Sequence, residues 1–138
     1  MVDRDVLSAR LSALESYLSE LRGFRDRSED EFVRERALHA LAERFLHLSC
    51  EAVADIAHHV IADQCYRHPA TYKEAVEVLR EEGLIEQDLA ERLTKWMGFR
   101  QVLVHLYLAI DHHQTWAAIQ EDLGDLEEFA AAMARLLS

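Results

Sequence analysis

The sequence predicts an all-α fold, an up-and-down bundle of about five helices, on three observations. Apolar residues recur at three- and four-residue steps along almost the whole chain. Gly (4) and Pro (1) are scarce in the 138 residues. No run of alternating β-branched residues suggests a strand.

The elements follow in order. Leu7, Leu11, Leu14, Leu18 and Leu21 share one face of a first helix, which Asp3 or Asp5 can cap. Ser28-Glu29-Asp30-Glu31 is a capping box. Behind it Leu38, Leu41, Phe45, Leu48, Ala52, Ile56 and Val60 extend one apolar stripe, predicting a second helix of about thirty residues. Pro69 lies in the break that follows. Thr71-Tyr72-Lys73-Glu74 opens a short third helix through Val76 and Leu79, and Gly83 is placed to end it as the C′ residue. A fourth helix carries Leu89, Leu93 and Trp96 and then meets Gly98. Asp111 is positioned to cap a last helix through Trp116, Ile119, Leu123, Leu126, Met133 and Leu137, with Gly124 as a kink point. Residues 1–138 therefore read as one helical domain without repeats or linkers. Such a seam can be internal core or can be shared between two copies.

Composition narrows the function. Acidic residues outnumber basic ones, 26 to 15, for a net charge of −11, and half the residues are hydrophobic. That apolar fraction argues against disorder. The acidity excludes a protein that coats duplex DNA, which needs a basic face. The longest relevant stretch free of charge, residues 101–110, is far below the ~20 apolar residues that span a bilayer, so no membrane role is expected. Met1-Val2-Asp3-Arg4-Asp5 leads straight into an amphipathic pattern, with no signal peptide. Cys50 and Cys65 have no CxxC partner and fit a cytoplasmic chain, where they read as small core hydrophobes.

The chain has 8 histidines. Three follow a carboxylate by four residues: Glu35 with His39, Glu43 with His47, Asp55 with His59. That spacing predicts ion pairs on one helix face. Carboxylate bundles that hold two metals use Glu-x-x-His on two helices. This spacing is absent, and a metal-binding bundle stands third among the readings. Glu51, Asp55 and His59 form a ridge at steps of four among small apolar residues, which suits either a solvated face or the lining of a cleft.

The most informative segment is residues 99–107, where Arg100, His105 and Tyr107 interrupt an apolar run. A core helix with snorkelling polar groups is one reading. The other is phosphate chemistry without a metal. Arg offers a fixed charge and a forked donor array, and His moves protons near neutrality. His105 would take the ribose 2′-OH proton while Arg100 stabilises the phosphorane. On a straight helix Arg100 and Tyr107 would lie within ~20° and His105 ~140° from Arg100. The catalytic reading thus requires the helix to end or bend between Arg100 and Tyr107, or two chains to share one site. Two windows lack acidic residues: 92–110, with Arg92, Lys95 and Arg100, and 64–73, with Arg67 and Lys73. Together they could form an electropositive patch for RNA, with Arg92 and Lys95 as binding residues.

The order Arg-x4-His-x-Tyr resembles the motif of HepT-like proteins of the HEPN superfamily. Glu43-Arg44, Glu51-Ala52, Asp55-Ile56-Ala57 and His59-Val60-Ile61 are similar to that family's long second helix, and Thr71-Tyr72 to its following turn. The resemblance covers nearly the whole chain. It implies a homodimer with a cleft at its interface, acting as a metal-independent endoribonuclease toxin of a type II-like toxin–antitoxin module. Arg100 and His105 would be catalytic and would need no cofactor. Tyr107 would be the residue to which a minimal nucleotidyltransferase antitoxin transfers AMP, with ATP only as donor. Asp55 and His59 would support the cleft. The family usually has Asn directly after the Arg; this chain has Gln101, a longer amide that can still donate. The alternative is a non-catalytic HEPN partner that binds a nucleotide or regulates a nucleotidyltransferase.

Overall fold

The computed structural model describes residues 2–138; Met1, where the charged N-terminal sequence begins, lies outside them. Among the described residues every regular element is helical. Seven α-helices run in the order α1 (Arg4–Arg22), α2 (Glu29–Arg34), α3 (Arg36–Asp63), α4 (Tyr72–Glu81), α5 (Gln87–His105), α6 (His112–Glu121) and α7 (Leu123–Ala134).

The long helix α3 is the axis, packing most extensively on α1 and also on α4, α5 and α7. On the predicted face of α1, Leu7, Leu14, Leu18 and Leu21 are fully buried and Leu11 is half-buried against them. They join Leu46, Val53, Ile56 and Val60 of α3, Leu79 of α4, Leu93 of α5 and Phe129 of α7 in one core. Four caps sit where the sequence put them. Asp3, Ser28, Thr71 and Asp111 accept from the amides of Val6, Glu31, Glu74 and His113, at 2.9–3.1 Å. Gly83, at φ 75°, ends α4 in a Schellman turn: its amide bonds the Arg80 carbonyl, and that of Leu84 bonds the Leu79 carbonyl. Cys65, at φ 58°, does the same for α3 without glycine. Cys50 is buried, and desolvation pushes its thiol up to about 12, so it stays a neutral core side chain. Cys65 is exposed, against the expectation of a core position.

Two expected helices are each broken in two. The second one stops at Glu35, an extended residue at φ −93° and ψ 107°. The break lets α2 swing onto α6 and bury Phe32. The last one stops at Asp122, two residues before the expected kink at Gly124. Here α6 is fixed sideways. Arg25 donates to the Ile119 carbonyl, Trp116 to that of Arg27 and Gln120 to that of Arg25, at 3.0–3.1 Å. Gly98 does not end the fourth helix, which runs on through it to His105.

Candidate functional site

The predicted turn is present. α5 ends at His105, and Leu106 leaves the helix at φ −122° and ψ 39°. Tyr107–Ala109 then form a single 3₁₀ turn before Asp111 starts α6. His105 is exposed, Tyr107 is 66% exposed and Leu108 is 91% exposed. Among the described residues no hydrogen bond or ion pair links Arg100, His105 and Tyr107 to one another.

Arg100 instead faces α3. Its Nε donates to Glu51 Oε1 at 2.6 Å and its Nη2 lies 2.5 Å from the same oxygen. The guanidinium carbon sits 4.5 Å above the Tyr72 ring. The Tyr72 hydroxyl donates to the other Glu51 oxygen at 3.4 Å, and His47 Nε2 stands 3.4 Å from Oε1. Burial, and then the Glu51 charge, hold the Tyr72 phenol above its usual range, so it remains a donor. His58 gives Nδ1–H to the Ala54 carbonyl at 2.9 Å and meets Tyr72 edge-on. The arrangement clamps one guanidinium between a carboxylate and an aromatic face and keeps part of its fork unpaired.

A family model described as ribonuclease HepT-like matches residues 14–133. The chain belongs to the HepT-like family. It is 32% identical over 80 residues to a Shewanella oneidensis protein named mRNA nuclease HepT, covering 58% of this chain and 60% of that protein. The chain thus matches less than two thirds of that relative. It is 29% identical over 114 residues to the tRNA nuclease HepT of Aphanizomenon flos-aquae, covering 83% of this chain and 78% of that one. In fold it is similar to the tri-AMPylated Shewanella oneidensis HEPN toxin solved in complex with MNT antitoxin. The TM-score is 0.87 at 23% identity, over 98% of this chain and 99% of that one. It is also similar in fold to YutE of Bacillus subtilis, solved as a cytosolic protein of unknown function. Here the TM-score is 0.85 at 22% identity, over 99% of this chain and 91% of that one.

Within this HepT-like chain the other predicted residues divide. Glu51 joins Arg100, and Gln101 lines the same groove. Asp55 is exposed on the ridge and close enough to raise the Tyr72 phenol further. His59 turns away, with Nε2 3.2 Å from Asp63. Arg92 is engaged by Asp88, Asp125 and Glu128, so its charge is compensated rather than open to phosphate. Lys95 lines a separate groove with Asp122 and Asp125.

None of the three expected carboxylate–histidine pairs forms. Glu43, only 8% exposed, accepts instead from His112 Nδ1 at 2.6 Å and Thr115 Oγ1 at 2.8 Å. His39 stacks on His112 with centroids 3.7 Å apart and donates to the Phe32 carbonyl. For Glu43 a long-range partner in the interior outcompetes an i,i+4 pair worth ~0.3–0.5 kcal/mol at the surface. Among the described residues no three His, Cys, Asp or Glu side chains are grouped to hold a metal ion, and no helix is long and apolar enough to cross a membrane. Tyr72 and His58 are the site residues that sequence reasoning passed over. Tyr72 lies 21 residues from Glu51 and 28 from Arg100, beyond any helical spacing.

Proposed function

We propose that this protein is an endoribonuclease toxin, acting without a metal and silenced by a nucleotidyltransferase antitoxin. The observation that carries the reading is the chain break after His105. It leaves an exposed imidazole at the end of the helix that carries the clamped Arg100, and an exposed phenol just beyond it. In the proposed reaction His105 takes the ribose 2′-OH proton and the 2′ oxygen attacks phosphorus. The 5′ oxygen leaves and is protonated, giving a 2′,3′-cyclic phosphate. Arg100 stabilises the added charge through its unpaired N–H groups. The names of the two HepT relatives, both nucleases, support the substrate class.

Tyr107 is the proposed AMP acceptor. At 66% exposure its side chain is accessible to a second protein. An attached adenylate would bring a negative phosphodiester and bulk to the turn that follows His105, competing with RNA. The Shewanella toxin is described as tri-AMPylated in its complex with MNT antitoxin, which supports the same regulation here. The test is expression with and without the neighbouring nucleotidyltransferase. Alone, the chain should slow growth and degrade RNA. Co-expressed, its peptide carrying Tyr107 should gain the mass of AMP. A neutralised pair with unmodified Tyr107 rejects the mechanism.

The cleft is proposed to lie between two copies. Leu106 and Leu108 are 53% and 91% exposed and flank Tyr107, an apolar patch costly to leave in water. Leu108→Glu is expected to shift the chain from dimer toward monomer in light scattering, with its helical content unchanged. An unshifted mass would remove this patch from the interface.

A further inference from the structure

Parts of both acid-free windows meet in one groove. Thr71, Tyr72 and Lys73 line it from one window, and Gly98, Arg100 and Gln101 of α5 from the other. The groove has a volume of about 590 Å³ and no carboxylate among its lining residues. Two other grooves differ in charge. One includes Asp122 and Asp125, the other Glu86, Asp88 and Glu128. On a chain of net charge −11 an open groove lined by two cations, of which Arg100 is paired with Glu51 outside the lining and Lys73 is not, stands out as the place for a polyanion.

The cations are Arg100 and Lys73. Arg67, from the same window as Lys73, is held by Glu74 and Glu81 at 2.7–2.9 Å. Lys73 makes no ion pair among the described residues. Its Nζ lies 3.7 Å from where a Cβ on Gly98 would stand, so the ammonium rests against α5 just before Arg100. The face of Tyr72 is already covered by Arg100, which leaves charge and hydrogen bonding, rather than base stacking there, as what the groove offers. Thr71 and Gln101 can bond ribose or phosphate oxygens.

We propose that this groove binds the RNA backbone next to the scissile phosphate, with Lys73 holding the neighbouring phosphate as a point charge. The proposal rests on the ribonuclease reading and gives that site a direction: RNA runs from the groove past Arg100 toward the turn at His105. Lys73 then sets affinity, while Arg100 and His105 set the rate.

The experiment measures binding of a 2′-O-methylated, uncleavable single-stranded RNA against salt, and cleavage of the matching RNA. Wild type is compared with Lys73→Gln and with Arg36→Gln, an exposed charge at the start of α3. Lys73→Gln should lower the log–log salt slope by ~0.7, the share of one phosphate contact on a single strand. Its KM should rise several-fold with kcat held, and Arg36→Gln should track wild type. A Lys73→Gln protein with the wild-type slope and KM overturns the groove. A wild type that binds but does not cut overturns the ribonuclease reading instead, and the slope still decides where RNA lies.

Discussion

His105→Ala is expected to lower the rate of RNA cleavage by ~10²–10⁴-fold, the range for loss of a positioned general base, with little change in thermal midpoint. The two halves of this expectation have separate causes. His105 is exposed and ends α5, so its removal opens no cavity in the core. At a helix C-terminus a protonated imidazole contributes only ~0.3–1 kcal/mol through the helix dipole. Its chemical role has no obvious understudy. The nearby Tyr107 offers a phenol, which is a poor general base. Other histidines are committed elsewhere: His39 and His112 to the cluster around Glu43, His58 to the Ala54 carbonyl. The variant should therefore fold, bind RNA, fail to cut it and no longer slow growth. Wild-type cleavage by His105→Ala, prepared identically, would sink the proposed mechanism.

The sequence showed that such a residue needed a chain break. The catalytic reading required the helix to end or bend between Arg100 and Tyr107, unless two chains share the site. α5 ends at His105, which takes Tyr107 off the helix but leaves Arg100 and His105 on one helix, ~140° apart. Caps were equally legible, because Asp3, Ser28, Thr71 and Asp111 act on amides two or three residues away. What escaped was decided by contacts distant in sequence. Nothing local at Glu35 marks a break, since neither glycine nor proline is there; the packing of Phe32 and α6 makes it. The Glu43–His47 pair failed for the same reason, as Glu43 found Thr115 and His112 about seventy residues on. His47 and His59 stand instead near the carboxylates one turn further along α3, Glu51 and Asp63. Arg92 carried a misleading signal. Its own window is free of acid, but α7 supplies Asp125 and Glu128 across the bundle.

The Arg100–Glu51 pair carries the second large expectation. Removing either side chain should destabilise the fold, and a double-mutant cycle with Arg100→Ala and Glu51→Ala should return a coupling of ~1–2 kcal/mol. The lower bound comes from exposed pairs, at ~0–1 kcal/mol. The upper bound comes from hydrogen bonds to charged groups, at ~1.5–3 kcal/mol. With side chains 16% and 26% exposed, this pair falls between them. Its effect on cleavage has two opposing parts. Glu51→Gln removes a negative charge beside Arg100, which should strengthen phosphate binding and lower KM. It also loosens the guanidinium, and a misplacement of ~1 Å can cost ~10²-fold in rate. The rate effect is the larger, because phosphate attraction across an open, solvated groove is screened. Glu51→Gln should thus reduce kcat by about ten- to a hundredfold with KM unchanged or lower, and Glu51→Asp should recover part of the rate. If Glu51→Gln cut faster than wild type, the carboxylate would be restraining Arg100 rather than aiming it. Phosphate would then have to displace Glu51 from the guanidinium before the reaction could begin.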